Sequence, residues 1–519
     1  MNWVRDRRWW ALGAVQLAVL AVGLDITVLS VALPTLAGAL HASESDLQWF
    51  SSGYTLVLAA SMLPAGLLGD RYGRKKVMSV ALAVFAVGSA ACAFAPSAEA
   101  FLMARLLLGL AGAGVIVMAL SALTVLFDEE ERPHAVAAWG VANFLAMPIG
   151  PILGGWLLTH AWWGWVFLIN VPVAVLGLAV AGALVPESRA AERPGLDPIG
   201  VGASSAGLVG VTYGLIQAGQ YGWTSGGAVG PIFGGLAVLA AFFLWERYLT
   251  RRPDGQPLLD LALFGSAAFT WGVLLITIST IALIGVLFTM PQYFQAVLGS
   301  DAMGSGLRLL PLIGGFVVGM VPAVTVTRRL GAKVTVALGF AVLAAAMVAG
   351  ARTSASSSTE FVAAWMGVAG VGFGLMFATA ASAALSELSA ERSGVGSAML
   401  QALKNVGAPL GSAILGSVLL SAYQAELQLA GLPPAAVAAA RESVFGGVAV
   451  AERVRSPVLL DSVRAAFAHG VDVSLLVSAG IAVAGILLSL AFLPGGRVTS
   501  KEPVVGTRSQ GGGAPGGRD

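Results

Sequence analysis

From Trp9 to Pro494 the chain repeats stretches of about 20 apolar residues, broken by short charged or Gly/Pro-rich segments. Each stretch is long enough to cross ~30 Å of hydrocarbon at ~1.5 Å per residue. Within a bilayer the backbone must satisfy its own hydrogen bonds, so runs of this length are read as helices. Only 11% of the 519 residues are charged, against about 25% in a typical soluble domain, so no soluble domain has room to exist. The spacing predicts an all-α membrane protein with fourteen spans, near 9–33, 47–68, 78–96, 100–126, 135–158, 163–185, 199–219, 227–248, 267–297, 303–326, 334–352, 360–386, 393–421 and 471–494. The basic Arg5, Arg7, Arg8 segment precedes the first run as it would in a signal peptide, but the run is too long for a signal core and is expected to be retained.

An even number of spans puts both termini on one side. The segments on that side hold Arg71, Arg74, Lys75, Lys76, Arg132, Arg189, Arg193, Arg247, Arg251, Arg252, Arg328, Arg329, Lys333 and Arg392, whereas the short loops opposite hold only Arg352, with Arg308 just inside a span. This asymmetry predicts a multi-pass protein of the cell membrane with both termini cytoplasmic. PIGPILG (Pro148 to Gly154) resembles PLGSAILG (Pro409 to Gly416), and RYGRK (Arg71 to Lys75) resembles RLGAK (Arg329 to Lys333). Both echoes fall at equivalent spans, as duplicated transporter halves require. The expected division is a six-helix half over 1–198, a two-helix insertion with its linker over 199–262, and a second six-helix half over 263–494. That half carries an extracellular loop at 422–470, and a polar tail follows at 495–519. The loop contains two amphipathic stretches, PPAAVAAARESVF and SPVLLDSVRAAFAHG, and is either a lid or a tolerated insertion.

Asp25 is the one acid in an otherwise oily first span. An ionised Asp near the bilayer centre costs about 2.5 to 3.5 kcal/mol on insertion scales, so this residue is expected to be paired, hydrated or protonated. Ala18, Ala21 and Ala32 give its face small residues for close helix packing. Two roles fit: a proton carrier, or a fixed partner in a local polar contact. Arg105 lies six residues, ~9 Å, inside the fourth span, at a depth resembling that of Asp25. It either pairs with Asp25 or snorkels outward. Lys404 in span 13 is the other intramembrane charge, open to a carboxylate partner, an anionic substrate or a neutral state. Met290, Gln292, Tyr293, Phe294 and Gln295 in span 9 are candidates for a substrate cavity or for packing. Six tryptophans, Trp9, Trp10, Trp49, Trp162, Trp163 and Trp165, fall near span ends and fit an interfacial belt.

Several chemistries find no support. The single cysteine, Cys92, precludes an intrachain disulfide and leaves no Cys-based metal site. His41, His134, His160 and His469 all fall in loops, which argues against a membrane-embedded enzyme, and no catalytic or metal-ligating set is assigned. No Gly-x-x-x-x-Gly-Lys-Ser/Thr phosphate loop occurs, so neither nucleotide nor any other cofactor is expected, and nothing indicates a nucleic-acid partner. The energy source is then an ion gradient.

The segment GLLGDRYGRKK joins spans 2 and 3. Its Gly66, Asp70, Arg71, Gly73, Arg74 and Lys75 resemble motif A of the major facilitator superfamily. Arg105-x-x-x-Gly109 is similar to motif B of that family. Ala146-x-x-x-Gly150-Pro151-x-x-Gly154-Gly155 is similar to motif C, the antiporter motif, with Ala146 in place of the usual first glycine. Leu24-Asp25-x-Thr27-Val28 and Val31-Ala32-Leu33-Pro34 resemble the first span of the fourteen-span drug:proton antiporters. FLINVPV, LDPIG, PLLDLALF and GLRLLP are family-like as well. Gly164 stands where that family often has arginine. The resemblance covers residues 9 to 494. It implies a major facilitator fold of two six-helix halves plus a two-helix insertion, and an antiporter that exports lipophilic, cationic drugs or toxic natural products in exchange for protons. A narrow exporter of one endogenous metabolite or self-made antibiotic fits equally. Asp25 and Arg105 then carry proton coupling, motif A gates the conformational change, and motif C sets antiport. Independently of the family, Ala146, Gly150 and Gly154 form a small-residue stripe at i+4 spacing, interrupted by Pro148 and Pro151, which also suits plain close packing.

Overall fold

The computed structural model describes residues 2–127, 146, 149–188, 197–252, 255, 257–259, 261–386, 390–429 and 432–494. Arg132, Arg189, Arg193, His134, Pro148, most of the expected span 135–158 and the tail 495–519 lie outside the described residues. The elements are α1 (Asn2–Ala39), α2 (Glu44–Tyr72), α3 (Arg74–Ala93), α4 (Ala98–Leu126), α5 (149–160), α6 (Trp165–Leu168), α7 (Asn170–Leu184), α8 (Pro198–Tyr221), α9 (Gly226–Thr250), α10 (Ala267–Gln292), α11 (Ala302–Arg308), α12 (Leu310–Leu330), α13 (Ala332–Gly350), α14 (Thr359–Ser386), α15 (Ala390–Glu426), α16 (Pro434–Glu442), α17 (Val444–Arg453) and α18 (Pro457–Phe492). Among the described residues, twelve segments are long and apolar enough to cross a membrane. A thirteenth is α2, which bends by 46° at Pro64, where the imide removes a ladder hydrogen bond. With α5, their order matches the fourteen expected spans.

Two hydrophobic cores form, one mainly from α1 to α7 with Phe288 and Ala402 added, and one mainly from α10 to α18 with Val31 and Phe242 added. The sequence echoes correspond to matched geometry. Gly73 (φ 113°) ends α2 and Gly331 (φ 83°) ends α12, and each starts the next helix from a backbone conformation that side chains disfavour. Thr27 Oγ1 on α1 donates to the Ala146 carbonyl (3.0 Å), and Thr277 Oγ1 on α10 donates to the Leu403 carbonyl of α15 (3.2 Å). Between the two halves, α8 packs on α15, where Ser417 Oγ donates to the Leu215 carbonyl (2.6 Å). Phe233 and Leu244 of α9 face outward. At the far end of this pair, Trp245 Nε1 donates to Asp197 (3.1 Å), and buried Glu246 accepts from the Leu259 amide (2.9 Å).

The halves meet through a row of polar contacts at the Glu44 end of the bundle. Gln292 Nε2 donates to Glu44 (3.1 Å), Gln295 Nε2 donates to the Val31 carbonyl (3.1 Å), Ser417 Oγ donates to Gln48 (3.3 Å), and the Ser52 and Ser412 hydroxyls share a hydrogen bond of 2.6 Å. The long loop differs from its expected form. PPAAVAAARESVF forms α16, but SPVLLDSVRAAFAHG is no separate helix. Ser456 caps it by accepting from the Leu459 amide, and nothing interrupts the ladder, so it becomes the first turns of the 36-residue α18. A second short helix, α17, fills the space between and packs Gly447 on Val463 and Tyr423.

Close helix contact depends on glycines that face a neighbouring backbone. Gly109 of α4 lies against the Tyr54 carbonyl of α2, whereas Gly182 of α7 meets nothing within 4 Å. Overfilling such a contact costs about 1 to 3 kcal/mol, while a leucine on an open helix face gains helix propensity. Cys92, the one thiol and fully buried, reports unfolding when it reacts with a maleimide dye during heating. We expect Gly109→Leu to bring that reaction to lower temperature and Gly182→Leu to leave it in place. Equal curves for the two variants refute the assignment of the α2–α4 contact.

Candidate functional site

Four helices of the first half converge on one buried ion pair. Arg105 Nη1 of α4 lies 2.5 Å from Asp25 Oδ2 of α1, and neither side chain has any exposed surface. Asn170 Nδ2, from the start of α7, donates to the second carboxylate oxygen at 3.3 Å. Arg105 is further fixed on α2: its Nε donates to the Phe50 carbonyl (3.3 Å), and its guanidinium carbon sits 4.1 Å from the Tyr54 ring centroid. Arg105 therefore does not snorkel. Arg105 Nη2 and the Tyr54 hydroxyl, both buried, have no hydrogen-bond partner among the described residues. Asn170 escaped sequence reasoning, although an amide alone in the apolar run FLINVPV was a visible signal.

The pair is off the central cavity. This cavity, about 660 Å³, is bounded by α1, α2, α10, α12, α14 and α15, and reaches Ile26, Thr27 and Ser30 of α1 but not Asp25. On α2 and α15 the polar seal uses Gln48, Ser52, Ser412 and Ser417, and the cavity starts beside it, with Ser51, Thr55 and Leu58 of α2 and Ala408 of α15 in its wall. It lies on the Asp70 side of the seal. Lys404 lines it, flanked on the same face of α15 by Gln401, Asn405 and Ala408.

The other cavity candidates are elsewhere. Met290, Gln292, Tyr293 and Phe294 are fully buried, and neither they nor Gln295 line the cavity. After Pro291, α10 widens into a π turn over Tyr293–Val297, which directs these side chains into the seal and into the second half. Gln292 and Gln295 bridge to Glu44 and Val31, and Tyr293 donates to the Ser354 carbonyl (2.7 Å). They close the cavity's end and do not form its wall. Glu44 itself, buried at the interface, was not anticipated. The neighbouring Ser43 and Asp46 complete a capping box, which leaves the Glu44 carboxylate to face the other half.

Several motif A residues make contacts inside the first half. Arg74 pairs with Asp70 at 2.8 Å, Arg71 lies over the Tyr72 ring, and Gly66 contacts Val117. Capping of α3 falls to Glu187, which accepts from the Lys75 amide (3.2 Å) and fits against Gly73, where a Cβ would collide with it. Motif C lets α5 lie between two helices. Gly150 and Gly154 contact Thr27 and Val28 of α1, while Gly155 meets the backbone of α11 at Ala302 and Met303. Pro151 completes that second contact, its carbonyl lying against Gly306 of α11.

Residues 16–197 and 199–412 match the sequence profile of the Major Facilitator Superfamily. The multidrug efflux pump LfrA of Mycolicibacterium smegmatis is 34% identical over 500 residues, covering 92% of this chain and 96% of that protein. The tetracenomycin C resistance and export protein of Streptomyces glaucescens is 33% identical over 419 residues, covering 80% of this chain and 77% of that protein. Among solved structures, a bacterial homologue of the human lysosomal transporter Spinster, in an inward-facing and unoccupied conformation, superposes with a TM-score of 0.66 at 16% identity, covering 94% of this chain and 98% of that one. The chain belongs to the major facilitator superfamily.

Proposed function

We propose that the chain is a proton-driven antiporter of the cell membrane that exports lipophilic drugs or toxic natural products by alternating access. The observation that carries this reading is the double face of α1, which presents Asp25 to Arg105 on one side and Thr27 and Ser30 to the cavity on the other. Resemblance over nearly the full length to a multidrug efflux pump supports the substrate class. The basic residues Arg71, Arg74, Lys75, Lys76, Arg328, Arg329 and Lys333 gather at the Asp70 end, which supports placing that end and both termini in the cytoplasm. The sealed Glu44 end then faces outward.

In this cycle the ionised Asp25 holds α1 to Arg105. A proton arriving from outside neutralises the carboxylate, and Arg105 stays on α2 through Phe50 and Tyr54. Removing one partner's charge from a buried pair is strongly destabilising, so α1 is free to shift, and with it Thr27, its contact to Ala146, and the cavity wall. The domains assigned from the sequence, 1–198 and 263–494, rock about the cavity, with motif A and motif C rearranging at their contacts. Each inward proton gains about 2.3 kcal/mol per 100 mV, and 1.4 kcal/mol is a factor of ten, so one proton at that potential sustains roughly a fortyfold gradient of a neutral substrate. A narrower reading, export of one self-made antibiotic, is favoured by the tetracenomycin relative. Resistance profiling across unrelated dyes separates the two.

Two experiments test the cycle. In liposomes loaded with a pH-sensitive dye, Asp25→Asn is expected to abolish proton entry coupled to drug export while drug binding persists. Full coupling in that variant refutes the role of Asp25. In a Cys92→Ser background, Ser52→Cys with Ser412→Cys replaces two hydroxyls 2.6 Å apart by thiols placed for a disulfide. Oxidation is expected to stop transport and a reductant to restore it, with each single cysteine unaffected. Undiminished transport by the cross-linked protein rules out opening at the Glu44 end.

A further inference from the structure

Lys404 is the one charged side chain in the cavity lining among the described residues. It has no ion-pair partner there. Its Nζ lies over an aromatic face, 6.0 Å from the Phe377 ring centroid. The part of the chain that approaches the cavity at Ala146 adds no compensating charge, since the sequence from Ala135 to Pro148 contains neither acid nor base. Asp25, the acid closest in sequence to the cavity wall, is turned away and already paired.

Hydrogen-bonding capacity in the lining is lopsided as well. The hydroxyls of Thr27, Ser30, Thr55, Ser279 and Thr280 all donate to helix carbonyls, and Asn405 donates toward the Met62 sulfur. The remaining donors are the Ser51 hydroxyl, the Lys404 ammonium and the Gln401 amide one turn from it on the same face, and of these only Lys404 carries a charge. Around them are Phe288, Phe316, Phe373 and Phe377. Small-molecule sites combine such apolar walls with a few polar groups that fix orientation. A cation without a counter-ion among the described residues, set in a mostly apolar wall, favours a ligand that brings the opposite charge.

We propose that this cavity selects flat, lipophilic organic acids, bound with their carboxylate or phenolate on Lys404 and their rings among the phenylalanines. The inference rests on the reading of this cavity as the substrate path and reverses the cationic preference expected from the sequence. It also changes the energetics of export. When a monoanion leaves while one proton enters, two charges move inward in sum, so the membrane potential drives the exchange twice as steeply as it drives that of a neutral substrate.

A matched fluorescent series tests this: anthracene-9-carboxylate, its methyl ester and 9-(aminomethyl)anthracene. Binding to the full-length protein is measured in nanodiscs of zwitterionic phosphatidylcholine, so that no anionic lipid headgroup competes, and again with phosphatidylglycerol added. The wild type is expected to bind the carboxylate about 10- to 100-fold more tightly than the ester, the range set by a charge-assisted hydrogen bond. Lys404→Gln should lose that advantage and keep the affinity for the ester, Lys404→Arg should retain it, and Lys404→Glu should shift preference to the amine. Tightest binding of the amine by the wild type, absence of carboxylate binding, or an unchanged carboxylate preference in Lys404→Gln overturns the proposal. Loss of carboxylate binding on adding phosphatidylglycerol also overturns it, in favour of a lipid headgroup site. Because binding is read without a proton gradient, failure of proton-driven export leaves this result standing and refutes only the antiport reading.

Discussion

The contact between Asp25 and Arg105 organises the first half of the molecule. Two charges placed among apolar helices persist only if they meet and if their remaining hydrogen-bonding groups are largely satisfied. This requirement sets the positions of four helices at once. Asp25 comes from α1 and Arg105 from α4, while α2 offers the Phe50 carbonyl and the Tyr54 ring, and α7 offers Asn170. Small residues make the approach possible, with Ala18 of α1 against Gly177 of α7 and Gly109 of α4 against the Tyr54 carbonyl. Charge pairing gives little net stability in such a place, but it makes one arrangement of these helices far better than its neighbours.

The second half repeats the architecture without that chemistry. If Thr27 and Thr277 occupy equivalent positions, as their matched bonds to α5-side and α15 carbonyls indicate, then the counterpart of Asp25 is Leu275, which is fully buried among apolar side chains. Duplication has preserved the glycine turns at Gly73 and Gly331, because a chain reversal needs the same backbone whatever its surroundings. Charge was free to diverge. One half keeps a paired charge away from the cavity, and the other places on its wall an ammonium, Lys404, that has no ion-pair partner among the described residues.

What the sequence disclosed follows the same division. The apolar runs gave the helices, and the meeting of Asp25 with Arg105 could be expected from two intramembrane charges at similar depth. Positions determined by contacts between distant segments were harder to read. Gln292 and Gln295 looked like cavity residues because polar and aromatic groups cluster there, but the π turn after Pro291 rotates them into the seal. Val471 was the expected start of the last span, yet α18 begins fourteen residues earlier, at Pro457, because a serine cap and an unbroken ladder extend it. Glu44 lay in a stretch whose local pattern is a capping box. Its burial depends on Gln292, 248 residues away.

On the proposed assignment of Asp25 as the proton site, its separation from the cavity restricts how the two ligands influence each other. Where a proton and a substrate compete for one carboxylate, exchange is direct and the substrate must carry a matching positive group. With Asp25 turned away from the cavity, the proposed coupling would pass instead through the position of α1, and the proton would alter the affinity for substrate only by the difference it makes between conformations. Linkage is reciprocal, so a bound substrate must alter the proton affinity of Asp25 by the same factor.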